Sequence, residues 1–171
     1  MALFAGNIDD LKSLYTTQLR FLLSTEQQIT EALPKMEKAA TDSELKQALR
    51  THLQETRQHV QRLEQILQKC AGDTDAKKCG VTAELISAGE TMIKASNDNA
   101  VRDAGIIASA QKVEHFEMAT YGTARNWAYT LGFNDQAEML DKTLKEEGHA
   151  DHLLTQISDR MNPQAASRRA A

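Results

Sequence analysis

A helical stripe between residues 106 and 131 places an acid where its pattern calls for an apolar side chain. Apolar residues recur here at intervals of three and four, the spacing that puts side chains on one face of an α-helix. Glu117 and Tyr121 interrupt this face, and Glu114 lies beside it. The stripe comprises Ile106, Ala110, Val113, Glu117, Tyr121, Ala124, Ala128 and Leu131. Because an unpaired buried carboxylate costs several kcal/mol or becomes protonated, the stripe predicts a partner that compensates Glu117.

The composition favours an all-helical protein with one domain. The 171 residues include eight Gly, two Pro and 5% aromatic residues, against plentiful helix-forming residues. A chain of this length buries about two-thirds of its unfolded surface. We predict a domain over residues 1–161 and a disordered C-terminal tail over residues 162–171.

The charge and the apolar runs limit the possible partners. A formal net charge of −4 and a pI near 5.7 argue against nucleic acids and anionic membranes as partners. No apolar run approaches the roughly 20 residues that span a bilayer, and the N-terminus lacks the basic and apolar regions of a signal peptide. We therefore expect a cytoplasmic protein in which Cys70 and Cys79 are free thiols.

Loop lengths predict how the helices are connected. Long helices are predicted over residues 9–40, 42–70, 100–131 and 134–161, and a short one over residues 82–96. Short turns make the first two long helices one antiparallel hairpin and the last two another. About thirty residues join the hairpins. The prediction is an all-α, ferritin-like four-helix bundle with one long crossover that carries the short extra helix.

Local signals predict where three helix ends lie. Asn7 or Asp9 is the expected cap of the first helix, and Thr41 with Glu44 matches a capping box for the second. The last helix is predicted to end before Asn162–Pro163, because proline disfavours helical backbone in the residue that precedes it.

Each of the four long helices carries an acid on or beside its buried face, at about the same height. Glu26 lies about 17 residues into the first helix and Glu114 about 14 into the third, which at about 1.5 Å per residue is mid-bundle. Carboxylates that converge in a core repel one another, and shared protons, buried arginines or a pair of divalent ions can compensate them. Carboxylate-rich bundle sites hold two iron or manganese ions. The candidate metal ligands are Glu26, Glu55, His59, Glu114, Glu117, Glu147 and Asp151.

The second helix departs from the Glu-x-x-His signature that is usual for such sites. Glu55 is followed by His59 four residues later and preceded by His52 three residues earlier. At 100° per residue, His52 and His59 lie near the centre of the apolar face and Glu55 at its edge. Either histidine is a candidate ligand or a hydrogen-bonded core residue.

The last helix contains a formal match, Glu146-x-x-His149. The helical wheel turns both of these residues away from the apolar face. Glu147 and Asp151 are predicted to face the core instead, which leaves Asp151 and His149 as alternative terminal ligands.

Several segments resemble the YciE/YciF family of stress proteins, and the similarity extends from about Asn7 to Ser158. The segments are His52–Thr56, Val60–Glu64, Ala110–Glu117, Ala119–Thr123 and Glu146–Glu147, of which the run Lys-Val-Glu-His-Phe-Glu at 112–117 is the most specific. The resemblance implies a ferritin-like bundle, a homodimer, a role in bacterial stress responses and a di-metal site. His59 stands where the family often has Gln.

Two functions follow as hypotheses. The first is a di-iron or di-manganese carboxylate protein that reduces O2 or peroxide, with Tyr121 or His59 relaying a proton or an electron. Its expected terminal ligands are Glu26 and Glu147 or Asp151, and its expected bridging ligands are Glu55 and Glu114 or Glu117. The alternative is a non-enzymatic dimer with a structural or interaction role, whose acids are hydrogen-bonded or paired with arginine.

Overall fold

Five α-helices make up the computed structural model, which describes residues 8–167. They are α1 (Leu11–Ala39), α2 (Ser43–Cys70), α3 (Gly80–Ala95), α4 (Asn99–Thr130) and α5 (Asn134–Ala166). The described residues form no strand, so the predicted all-helical class is confirmed. Within the same range, no helix combines the length and the apolar character needed to cross a bilayer.

Asp10 caps α1, one residue later than the sequence predicted. Its side chain accepts a hydrogen bond from the backbone N–H of Ser13 at 2.7 Å, and the Ser13 hydroxyl accepts one from the Asp10 N–H at 3.1 Å. This reciprocal pair satisfies two backbone donors that the first turn leaves free. Asn7, the other predicted cap, lies outside the described residues.

Asp42 caps α2, and the predicted capping box of Thr41 and Glu44 is wrong. The Asp42 side chain accepts hydrogen bonds from the N–H groups of Glu44 and Leu45 at 3.0 and 2.9 Å. The Thr41 hydroxyl is unavailable as a cap because it donates to Asp103 on α4. A contact across 62 residues of sequence therefore decides the role of Thr41.

Helix α5 extends beyond the predicted end of the domain. Residues 162–166 are helical, so the prediction that the last helix ends before Asn162 is wrong. Pro163 lacks an N–H and removes one backbone hydrogen bond, but Met161, 3% exposed, anchors the preceding turn in the core. Residues 168–171 of the predicted tail lie outside the described residues.

The long helices pack as two hairpins that face each other. Helix α1 contacts α2, and α4 contacts α5. The two hairpins meet where α2 packs on α5 and α1 packs on α4. Helix α3 belongs to the connection between them and packs against α4 and α1. The four long helices therefore enclose a common interior.

Two apolar cores fill this interior. The first comprises Tyr15, Leu19, Leu22, Leu23, Leu63, Ile66, Leu67, Tyr121, Ala124, Ala128, Ala137 and Leu140. The second comprises Ile29, Leu33, Ala40, Leu45, Leu49, Leu53, Ile106, Ile107, Ala110, Leu154, Ile157 and Met161. Each long helix passes from one core to the other through a segment with buried polar residues, as α1 does at Glu26, between Leu23 and Ile29.

Both cysteines are free thiols, as the sequence predicted. Cys79 is buried at the start of α3, and Cys70 is half-buried at the end of α2.

Asp103 ties α4 to the turn between α1 and α2. This carboxylate is 1% exposed. It accepts hydrogen bonds from the N–H groups of Thr41 and Asp42, each at 2.8 Å, and from the Thr41 hydroxyl at 2.6 Å. The contact holds one end of the first hairpin against the second.

We predict that Asp103→Ala lowers the free energy of unfolding by about 2–4 kcal/mol, because it removes the buried, charged acceptor of several hydrogen bonds. Urea denaturation would measure the change. Asp159→Ala, an exposed aspartate on α5, is the control and should change stability by less than about 0.5 kcal/mol. Equal effects of the two substitutions would contradict this account of Asp103.

Candidate metal centre

Four glutamates and two histidines are buried between the two apolar cores. We call this set the polar layer; its members are Glu26, His52, His59, Glu114, Glu117 and Glu147. The four glutamates are between 0% and 3% exposed, and His52 and His59 are 7% and 0% exposed. Each side chain lies on or beside the apolar stripe of its own helix, so it is buried when the helices pack together.

The polar layer divides into two groups that share Glu147. In each group, one ligand atom from every member lies within 4.8 Å of one ligand atom from every other. The first group comprises His52, Glu114, Glu117 and Glu147, and the second comprises Glu26, His59 and Glu147. Because a carboxylate has two oxygens, Glu147 is able to face both groups at once.

His52 lies between the polar layer and an outer carboxylate. Its Nε2 is 3.3 Å from Oε1 of Glu114 and 3.8 Å from Oε2 of Glu147. Its Nδ1 is 3.6 Å from Oε2 of Glu55, whose side chain is 30% exposed. The imidazole therefore connects the buried acids with a half-buried one at the surface of α2.

His59 likewise lies between buried acids and an outer carboxylate, in the second group. Its Nδ1 is 2.9 Å from Oε1 of Glu147 and 3.5 Å from Oε1 of Glu26, and its Nε2 is 3.0 Å from Oε2 of Glu146. Arg62 holds Glu146 with both guanidinium Nη atoms. Metal-binding histidines commonly have such a carboxylate on the far ring nitrogen, which fixes the orientation of the ring.

Tyr121 closes the layer on the side of the first core. Its hydroxyl donates a hydrogen bond to Oε1 of Glu26, and its ring lies edge-on to His59 with the centroids 6.5 Å apart. Burial raises the pKa of Tyr121 well above its usual value, and the charge of Glu26 adds to the effect. The phenol therefore stays protonated and orients one oxygen of Glu26.

The surrounding carboxylates favour protonated imidazoles. Burial opposes protonation of His59, but contacts with Glu147 and Glu26 outweigh burial and raise its pKa to about 10. Burial opposes protonation of His52 in the same way, and the charge of Glu114 leads the contributions that raise its pKa to about 9. Both rings therefore carry positive charge at neutral pH in the metal-free protein.

The pKa values of the buried glutamates shift in opposite directions. Burial raises the pKa of Glu117 well above its usual value, and the charges of Glu147 and Glu26 add to it. Burial also raises the pKa of Glu114, to about 8. For Glu147, burial opposes ionisation, but the nearby His59 and His52 outweigh burial and lower its pKa. Without metal, the pKa shifts thus favour cationic histidines, an ionised Glu147 and protonated forms of Glu114 and Glu117.

Eight buried polar atoms of the layer have no hydrogen-bond partner among the described residues. They are Oε2 of Glu26, Nδ1 of His52, Nδ1 of His59, Oε2 of Glu114 and both Oε atoms of Glu117 and of Glu147. The 2.9 Å contact between His59 and Glu147 is close, but it lacks the alignment of a hydrogen bond. Since buried polar groups are normally paired, this set of oxygen and imidazole donors is one that could hold metal ions.

The sequence also matches a known family over residues 10–167, which is described as Domain of unknown function (DUF892). This chain belongs to the DUF892 family. The Escherichia coli (strain K12) protein YciF is 35% identical to it over 153 residues, which are 89% of this chain and 92% of YciF. The resemblance to the YciE/YciF family is therefore confirmed.

Two solved structures are similar to the DUF892 chain along most of its length. The crystal structure of the E. coli stress protein YciF superposes with a TM-score of 0.87 at 34% identity, covering 91% of this chain and 99% of that one. YcfI of Rhodopseudomonas palustris, described as a candidate structural protein, superposes with a TM-score of 0.86 at 38% identity. The match covers 89% of this chain and 97% of the YcfI chain.

The structure brings together most of the residues that the sequence singled out in this DUF892 chain. The members of the predicted set that lie in the two groups are Glu26, His59, Glu114, Glu117 and Glu147. Glu55 lies outside both groups, at the edge of the apolar face where the helical wheel placed it. Glu146, which the wheel turned away from the core, is the outer partner of His59.

Asp151 does not face the core, and its predicted orientation is wrong. Its side chain is 20% exposed and lies 3.2 Å from Nε2 of His115 on α4. Gln111 donates a hydrogen bond to it at 3.1 Å. A step of four residues turns the helix by about 400°, so Asp151 is rotated about 40° from Glu147 and reaches the edge of the α4–α5 contact.

His52 is the member of the polar layer that the predicted ligand set omitted. The sequence did carry a signal for it, since the wheel put His52 near the centre of the apolar face of α2. Thr56, 0% exposed, also lies on this face, and its hydroxyl donates to the backbone carbonyl of His52 at 2.8 Å. Helix α2 therefore contributes its histidines, rather than Glu55, to the layer.

In the metal-free protein, we predict that Glu117→Met raises the free energy of unfolding by about 1–3 kcal/mol, because it removes two buried oxygens that have no hydrogen-bond partner. Urea denaturation with a chelator present would measure it. Glu26→Met is the matched control and should destabilise, since it leaves the Tyr121 hydroxyl without its acceptor. A loss of stability in Glu117→Met would show that the carboxyl group of Glu117 stabilises the metal-free layer.

Proposed function

We propose that this chain binds two divalent ions, iron or manganese, in the polar layer of a ferritin-like four-helix bundle with one long crossover. The observation that carries the proposal is the set of eight buried donor atoms without hydrogen-bond partners among the described residues. They belong to side chains from all four long helices. Metal ions would satisfy most of these atoms together, whereas Nδ1 of His52 faces Glu55 instead. Leaving a buried polar group unpaired costs about 1–3 kcal/mol.

The two groups suggest which ligands each ion takes. We propose that His52, Glu114 and Glu117 would hold one ion, that Glu26 and His59 would hold the other, and that Glu147 would serve both sites. Glu55 and Glu146 then orient the two histidines from outside. This assignment replaces the expectation that Glu147 is terminal and Glu55 bridging, and it leaves Asp151 out.

The reaction that suits such a centre is reduction of O2 or peroxide during stress. A pair of redox-active ions would supply electrons and open coordination positions to a small oxidant. The protein contributes a buried site between two apolar cores and a hydrogen bond from Tyr121 to Glu26. His59 connects the layer to Glu146, whose side chain is 26% exposed, and so provides a route for protons to solvent. The description of E. coli YciF as a stress protein supports this setting.

The second candidate is a non-enzymatic structural or interaction protein. Its support is the internal charge balance, in which cationic His52 and His59 offset Glu147 while burial keeps Glu117 protonated. The description of R. palustris YcfI as a candidate structural protein points the same way. In this case the layer would be stable without metal.

The homodimer implied by the family resemblance is also part of the proposal. Large apolar side chains such as Val81 and Met92 on α3 are 54% and 44% exposed in the single chain. Exposed apolar surface of this kind is buried in many dimer interfaces.

Metal addition distinguishes the two candidates. For each site, a free metal concentration 100 times the Kd stabilises the folded protein by about 2.7 kcal/mol. For a chain of this length, that corresponds to a rise in Tm of about 5–11 °C. We expect Fe²⁺ (added without oxygen) or Mn²⁺ to produce this rise, with two ions bound per chain, and a chelator to reverse it.

Glu147→Gln should lose most of the rise, because it removes the charge shared by both groups. Glu138→Gln, an exposed glutamate on the same helix, is the matched control and should retain it. An unchanged Tm with less than one ion bound per chain would refute the metal centre and favour the structural candidate.

A further inference from the structure

A small cavity connects the polar layer with the surface between α2 and α5. Its volume is about 70 Å³. His52 and Glu114 line its inner end, whereas Thr51 and His149 on its wall are exposed to solvent. The cavity therefore spans the distance from solvent to the first group of donor atoms.

An open groove continues from this cavity across the outer surface. The cavity and the groove share two lining residues, Glu55 and His149. The other residues along the groove are Glu138, Asp141, Lys142, Lys145 and Glu146. Glu55 and His149 thus stand where the outer groove meets the inner cavity.

Two acids of the groove form ion pairs with basic side chains, and two do not. Asp141 pairs with Arg125 and Lys145, and Glu146 pairs with Arg62. Among the described residues, no Lys or Arg pairs with Glu55 or Glu138. Four acids and two lysines line the groove, and such an excess of acids attracts cations and increases their rate of association.

The inner end of the cavity offers donor atoms that have no partner. Oε2 of Glu114 and Nδ1 of His52 lack a hydrogen bond, and both residues are more than nine-tenths buried. Oε2 of Glu55 lies 3.6 Å from Nδ1 of His52, and Nε2 of the same ring lies 3.3 Å from Glu114. Ligand atoms therefore follow one another from the mouth of the cavity to the polar layer.

We propose that this cavity is the path by which divalent cations reach the polar layer, and that Glu55 and His149 form a transient cation-binding site at its mouth. The proposal rests on the metal centre proposed above. An ion first binds the carboxylate of Glu55 and the imidazole of His149 and then moves to Glu114 and its neighbours. Along the rest of the path the wall is apolar, as at Leu49 and Leu153, so an ion has few competing ligands there.

The experiment measures the rate of metal uptake separately from the final occupancy. Metal-free protein is mixed with Co²⁺ in a stopped-flow instrument, and binding is followed by the visible absorption of the protein-bound ion. Glu55→Gln should slow uptake by about tenfold or more, because it removes the charge at the mouth. At saturating Co²⁺, the number of ions bound at equilibrium should equal that of the wild type, because Gln keeps an acceptor oxygen beside Nδ1 of His52.

Glu31→Gln is the matched control, since Glu31 is an exposed glutamate on α1, away from this groove. A second variant, Ala150→Leu, enlarges a side chain of the cavity wall without changing charge. It should also slow uptake while the final occupancy stays the same. Slower uptake in both variants, with an unchanged rate in the control, supports the path.

Three results would overturn the proposal. They differ in whether the metal centre also fails. If the wild type binds two ions and both variants load at its rate, the path is wrong and the metal centre stands. If Glu55→Gln lowers the final number of ions at saturating Co²⁺ and Ala150→Leu does not, Glu55 is part of the permanent site instead of a transient one. If the wild type binds no Co²⁺, Fe²⁺ or Mn²⁺, the metal centre and the path both fail.

Discussion

The structure depends on keeping several carboxylates buried in one layer between two apolar cores. Four glutamates are at most 3% exposed there, at a depth where unpaired charges are strongly destabilising. The apolar cores on both sides stabilise the helices that carry these acids, and the acids set the chemistry that the interior is able to perform. Two cationic histidines and the hydroxyl of Tyr121 compensate part of the charge. Eight donor atoms remain without a partner in the described residues, and they point to metal.

An outer set of charged residues surrounds the polar layer. Glu55 and Glu146 contact the far ring nitrogens of His52 and His59, and Arg62 in turn holds Glu146. Each histidine is thus oriented from outside while its other nitrogen faces the layer. The two outer acids differ in one respect, because Glu146 is paired with arginine and Glu55 is not. This difference fits a positioning role for Glu146 and an exchange role for Glu55 at the cavity mouth.

Much of this arrangement was predictable from the sequence, because helical periodicity records which side chains face inward. The regular stripes placed Glu26, Glu117 and Glu147 at one height, and the helix bounds agree to within a few residues except at the C-terminus. What periodicity does not record is contact between helices. The hydrogen bond from Thr41 to Asp103 joins residues that are 62 positions apart. The position of Asp151 at the α4–α5 edge likewise depends on His115 and Gln111 of the neighbouring helix.

The most direct test of the metal centre is an anomalous difference map from crystals of the protein grown with Mn²⁺. The account predicts two peaks inside the polar layer. One should lie among His52, Glu114, Glu117 and Glu147, and the other among Glu26, His59 and Glu147. A well-ordered layer without a peak, in crystals that contain Mn²⁺ elsewhere, would contradict the account.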